Sequence, residues 1–125
     1  MSESWSNWAG SVHCLPGEVA RPTCEAEIQE LIARCRSTGQ RIRVVGSGHS
    51  FTPLCATDEV LVSLDQWCGI EKVNRARGEA TIRAGSKIHD IGDPLWEEGL
   101  SLANQGDVDV QALAGAISTG THGTG

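Results

Sequence analysis

"RVVGSGHSF" (residues 43–51) sets a short β-branched run against two glycines and a histidine. Its first residues complete "RIRVV" (41–45), which reads as a strand. Gly46 and Gly48 stop that strand, and His49 follows at once. Either the glycines make a plain turn, or they let a ligand come close to bare backbone. Successive N–H groups in such a loop form a concave nest of donors for phosphate oxygens, and Ser47 and Ser50 add hydroxyls. Two common nucleotide loops do not account for it. A Rossmann fingerprint wants a third glycine where Phe51 stands and a helix starting there. A Walker A loop wants Gly-Lys-Ser/Thr, and none follows.

A second glycine cluster closes the chain. The 125 residues include 15 glycines, about 12% against a usual ~7%. Gly115, Gly120, Gly123 and Gly125 fall within "ANQGDVDVQALAGAISTGTHGTG" (103–125), with Ser118, Thr119 and Thr121 between them. Neither cluster contains lysine or arginine. A diphosphate between them would be held by backbone dipoles and hydroxyls, consistent with the formal net charge of −6. On the residues alone, a phosphate cradle and a pair of structural turns both stand.

The surrounding chain reads as α+β. "RPTCEAEIQELIARCRSTGQ" (21–40) predicts a helix over 24–38, N-capped by Thr23, with Glu25 and Glu27 in its positive first turn and Gly39 as its stop. Cys24, Ile28, Leu31, Ile32 and Cys35 share one face and are read as core. "VLVSL" (60–64) is a second strand, and residues 70–85 read as a hairpin turning at Arg77-Gly78. "SKIHDIGDPLWEEGL" (86–100) predicts a helix capped by Ser86, kinked or broken and restarted near Gly92-Asp93 by Pro94. His89 is expected at the surface, and the segment 103–125 reads as tight backbone packing.

Composition limits the partners. An acidic chain lacks the basic footprint of a nucleic-acid binder. No stretch approaches the ~20 apolar residues of a membrane span. The polar N-terminus "MSESWSNWAG" is unlike a secretory leader. Five cysteines (Cys14, Cys24, Cys35, Cys55 and Cys68), without a CxxC pair, fit free thiols in a cytoplasmic protein, with no metal site.

Taken together, "RVVGSGHSF", "NWAG" (7–10), "RPTCEAEIQELI" and the pattern "GDxxVQxLAGAISTGTHGTG" resemble the FAD-binding domain of the vanillyl-alcohol oxidase (PCMH-type) flavoproteins. The sugar-lactone and alditol oxidases are the nearest in pattern. The resemblance implies an α+β PCMH-type domain, two small sheets with flanking helices, enclosing an extended FAD. It implies cofactor contacts at Val45, Gly46, Ser47, Gly48, His49, Ser50 and Phe51, which wrap the pyrophosphate. It implies others at Asp107, Gly115, Ser118, Thr119, Gly120, Thr121, His122 and Gly123, along the other side of the cofactor. His49 stands where many members bond the flavin 8α-methyl carbon, and His122 is taken as structural or cofactor-contacting. The implied reaction oxidises a hydroxyl of a small sugar-type substrate, with hydride passing to flavin N5 and oxygen or another acceptor reoxidising the flavin.

Members of that family are several times longer. The chain is therefore expected to be the N-terminal portion (1–125) of the FAD-binding domain, C-terminally incomplete and without its substrate domain. No catalytic base is assigned, and this portion alone is expected to be inactive. The alternative is a non-catalytic flavin- or nucleotide-binding module, or an inactive truncated oxidase. In isolation the segment from about Ala103 onward is expected to be loosely held, because it buries too little to offset its ordering entropy.

Overall fold

The computed structural model describes residues 3–125. The chain divides into two compact units, Met1–Gln66 and Trp67–Gly125.

In the first unit, strands β1 (Trp5–Ser6) and β2 (His13–Cys14) form a short antiparallel pair. Strand β3 (Glu18–Ala20), helix α1 (Glu25–Thr38), strand β4 (Ile42–Val45) and strand β5 (Val60–Ser63) follow. The three strands make a parallel sheet in the order β3-β5-β4. The central strand β5 is buried at all four residues, as expected of a parallel strand covered on both faces. Leu31 and Cys35, one helical turn apart on α1, pack on Val60 and Val62, with Ala20, Ile42 and Leu64 closing the cluster. Glu18 of β3 pairs with Arg34 of α1 at 2.6 Å.

The termini of α1 refine the sequence reading. Gly39 takes the left-handed conformation (φ 71°) that ends the helix, as its position suggested. At the other end the cap is Cys24, not Thr23, and it makes no side-chain cap bond. Instead the Glu27 carboxylate accepts from the Thr23 N–H (2.6 Å) and hydroxyl (3.0 Å). These bonds, the backbone one first, hold its pKa below the ordinary glutamate value. Because the chain enters here, Cys24 is exposed and leaves the apolar face that the spacing had given it; Ile32, on the flank of that face, is exposed too.

In the second unit, strands β6 (Ile70–Asn74) and β7 (Glu79–Ile82) form the expected hairpin, with Gly78 at φ 64° in its turn. Helix α2 (Ile88–Glu97) buries Ile88, Ile91 and Leu95. It continues through Pro94 without the break that proline predicted. Asp90, whose carbonyl lies one turn before that missing N–H, is exposed, so water can serve the orphaned oxygen. The cap of α2 is Lys87. Ser86, 1% exposed, is used elsewhere: its hydroxyl accepts from the Gly69 N–H (2.8 Å) and donates to the Arg83 carbonyl (2.7 Å). A short helix α3 (Leu113–Ser118) follows, in a stretch whose glycine content had suggested loop. The chain before it and its own first turn are tied to residues 84–89 by backbone bonds that include Ile88 N–H to Gln111 and Leu113 N–H to Ser86. Among the described residues three small sheets and three α-helices make up an α+β set of elements. Among the described residues no helix is long and apolar enough to cross a membrane.

Candidate functional site

The loop 46–51 leaves the carboxyl end of β4, the end of a parallel strand outside which α/β sheets bind ligands. Val45 is buried and anchors the loop to the sheet opposite Ser63. Gly48 has φ +69°, a conformation that costs a residue with a Cβ about 1–2 kcal/mol. A Cβ there would also stand 3.2 Å from Cζ2 of Trp5 and 3.5 Å from Cα of Asn7. The glycine is therefore needed twice, for its dihedral and for the close approach of the N-terminal segment.

That segment clamps the loop. Asn7 is only 4% exposed. Its Oδ1 accepts from the N–H groups of Ser11 (2.9 Å) and Val12 (3.0 Å). Its Nδ2 donates to the Ser11 hydroxyl and to the Ser50 carbonyl, each at 3.1 Å. Next to it, the Trp8 N–H donates to the Gly48 carbonyl at 2.8 Å. The Trp8 indole stacks on the His49 imidazole, with centroids 5.0 Å apart and planes 15° from parallel. Such pairs add roughly 0.5–1.5 kcal/mol beyond their buried area.

With its carbonyls so engaged, the loop keeps its donors. Among the described residues, the N–H groups of Gly46, Gly48, His49, Ser50 and Phe51 have no acceptor within the chain. The loop carries no acidic side chain. A row of backbone donors with a positive-φ glycine among them fits a pyrophosphate. Beyond the loop, in the 3-10 turn Pro53–Cys55, burial pushes the Cys55 thiol up and the Arg43 charge opposes it. Among the described residues no cluster of metal-ligating side chains forms.

The second predicted stretch is arranged differently. Gly115 and Ser118 belong to α3. The hydroxyls of Ser118 and Thr119 donate to the Ala114 carbonyl (2.6 Å) and the Gly115 carbonyl (2.9 Å). The Thr121 N–H donates to the Ala116 carbonyl, and the Gly123 N–H to Oδ1 of Asn104 at 2.7 Å. Nδ2 of Asn104 donates to the Gly125 carbonyl, also at 2.7 Å. Nε2 of Gln111 reaches the Thr121 hydroxyl at 3.2 Å. A Cβ on Gly106 would lie 2.6 Å from Cγ2 of Thr121, and one on Gly123 would run into the Gln105 carbonyl oxygen. Gly120 has φ +66°. Nδ1 of His122 lies 2.8 Å from the Gly123 carbonyl. Asp107 is exposed, in the strip that begins with Asn104. The structure brings Val45–Phe51 together as one loop. It divides 115–123 between a helix and a turn fastened to 104–106.

A family profile described as "FAD binding domain" matches residues 16–125. The chain belongs to this family. FAD is its cofactor, and the open donors of Gly46 and of Gly48 to Phe51 suit that group. The chain is 44% identical over its full length to an L-gulono-1,4-lactone dehydrogenase of Mycobacterium tuberculosis, and covers 29% of that protein. It is 34% identical over 124 residues to a D-arabinono-1,4-lactone oxidase of Kluyveromyces lactis, matching 96% of the chain and 24% of the relative. The chain therefore spans about a quarter of the length of these relatives. Cholesterol oxidase from Brevibacterium sterolicum superimposes with a TM-score of 0.82 at 21% identity, over 98% of the chain and 24% of the enzyme; this likeness shows the PCMH-type fold.

Sequence reasoning named the glycines and His49 but gave no role to Trp5, Asn7 or Trp8. "NWAG" entered only as part of the family pattern. The signal was an asparagine between two tryptophans in a segment with no regular periodicity, and its partners lie about forty residues away.

Proposed function

We propose that this chain is the FAD-binding part of an oxidoreductase that oxidises a hydroxyl of a sugar lactone or polyol. The observation that carries the reading is the row of open N–H donors at the carboxyl end of β4, within a chain that belongs to an FAD-binding family. The names of the relatives support the lactone substrate. When bound, FAD supplies the two-electron acceptor, taking hydride from the carbinol carbon at flavin N5.

The chain's own part is to hold and orient. The N–H groups of Gly46, Gly48, His49, Ser50 and Phe51 bind pyrophosphate oxygens without adding positive side chains. The Asn7 clamp keeps those donors in place before the cofactor arrives, so little ordering is left to be done on binding. His49, next to the last of the loop's glycines, is the tether: a neutral imidazole nitrogen is a nucleophile near neutral pH.

Anaerobic addition of L-gulono-1,4-lactone, D-arabinono-1,4-lactone or xylitol to the FAD-loaded whole oxidoreductase that contains this chain tests the activity. Bleaching of the flavin band by one of them is expected. Bound FAD that none of them bleaches would favour a flavin-binding module instead. His49→Ala tests the tether. It should retain FAD yet release it on acid precipitation, while the wild-type pellet stays yellow.

A further inference from the structure

His49 has an aromatic neighbour that the binding of a pyrophosphate does not require. The Trp8 indole covers its imidazole with planes 15° apart, and near-parallel stacking fixes a ring's plane as well as its distance. Trp8 is 68% exposed, so no core packing accounts for where its ring lies. Its backbone, in contrast, is pinned: the Trp8 N–H is bonded to the Gly48 carbonyl, and the preceding Asn7 is locked by four hydrogen bonds. Both rings thus project from one backbone anchor. Among the described residues, neither ring nitrogen of His49 has a hydrogen-bond partner within the chain. The stack sets the ring's plane and leaves both nitrogens without a bond inside the chain. An imidazole lone pair lies in the ring plane, so the plane that Trp8 imposes is also the direction of attack.

We infer that Trp8 is a positioning residue for His49, holding the imidazole in the plane from which a ring nitrogen bonds the flavin 8α-methyl carbon. The inference rests on the tether reading above. In this step a nitrogen–carbon bond forms and a methyl C–H bond breaks. The methyl hydrogen and the imidazole N–H hydrogen leave as protons, and the C–H electron pair reduces the flavin. Dioxygen then takes up two electrons and two protons as hydrogen peroxide.

The test follows, over time, the flavin that stays with acid-precipitated protein after FAD is added to wild-type, Trp8→Ala, Trp8→Leu and Trp8→Phe proteins. Trp8→Ala and Trp8→Leu should bind FAD but attach it about tenfold more slowly, because a misdirected nucleophile loses its near-attack geometry. Trp8→Phe restores a stacking ring and should return to within about threefold of wild type. A second readout needs no flavin: the ring-proton resonances of His49 should be shifted upfield in the wild-type and Phe proteins and lose that shift in the Ala and Leu proteins. Attachment at the wild-type rate in both Ala and Leu variants overturns the inference. So does complete loss of FAD binding in both, which would make Trp8 a support of the loop and not of the ring. A wild-type protein that binds FAD but retains none after precipitation removes the tether reading and the inference with it. Retained flavin in the wild type, with unslowed variants, leaves the tether and removes the inference alone.

Discussion

The two glycine-rich stretches have the same ingredients and opposite hydrogen-bond arrangements. Around 45–51 the N-terminal segment takes up carbonyls, at Gly48 and Ser50, and leaves the N–H groups of Gly46, Gly48, His49, Ser50 and Phe51 open. Around 115–123 the Asn104 side chain and the helix carbonyls take up the donors themselves. The clamp of the first is a buried amide; the clasp of the second is exposed. Glycine content therefore does not define an anion nest. What defines it is which half of each peptide group the rest of the fold consumes.

The largest effect should come from removing the buried clamp. Asn7→Ala removes a buried amide from two N–H groups and a carbonyl in a half-buried setting, at a cost of about 1–3 kcal/mol. A fall in thermal midpoint together with weakened FAD binding is expected, measured by unfolding and by flavin fluorescence titration. If Asn7→Ala changes neither, the first loop is not clamped in this way and the contrast collapses. Next comes Gly48→Ala, which forces a Cβ into a positive-φ position beside Trp5 and should cost about 1–2 kcal/mol. FAD binding should weaken with it, and an unaltered dissociation constant would show that the loop needs no left-handed residue.

Asn104→Ala probes the other side of the comparison. Two exposed hydrogen bonds are lost, about 1 kcal/mol in all. Amide exchange of residues 121–125 should quicken while that of 42–45 stays unchanged; equal quickening in both would deny that the two stretches are held separately. The smallest effect belongs to Glu59, at the end of β5 remote from the glycine loop. The Arg41 N–H, then its guanidinium, holds the Glu59 carboxyl below its ordinary value of 4.5. A lowered folded-state value stabilises above the unfolded value and fades as pH falls through the folded one. Glu59→Gln should therefore narrow its stability gap to wild type only below about pH 4.5. A gap that stays constant through acid would mean that the pair contributes nothing.

Local signals in the sequence were reliable where the structure is local. Gly39 ended α1, Gly78 turned the hairpin, and Val60 to Ser63 formed a buried strand because each rests on near neighbours or a plain apolar run. The misreadings share a different cause. Thr23 and Ser86 have the chemistry of caps, but a carboxylate one turn on and a distant Gly69 N–H claimed their hydroxyls. Pro94 lies on a solvated helix face, where a missing bond is cheap. Asn7 and Trp8 act across the sequence distance between two segments, and nothing in their immediate neighbours announces it. Helix α3 was hidden because an alanine- and glycine-rich run with little amphipathic contrast has no visible period.

The order of the parallel sheet bears on how the chain folds. Strands β3 and β4 never touch; both pair only with β5, which is made later and slots between them. Until β5 arrives, the crossover through α1 has nothing to close on. Its arrival requires closing the connection 46–59, of which the cofactor loop is the first part. Loop-closure entropy must be met before long-range pairing returns anything. Substitutions that stiffen or loosen residues 46–51 should thus alter the folding rate of the first unit as well as its hold on FAD, and the cofactor's own loop becomes the gate through which the core is completed.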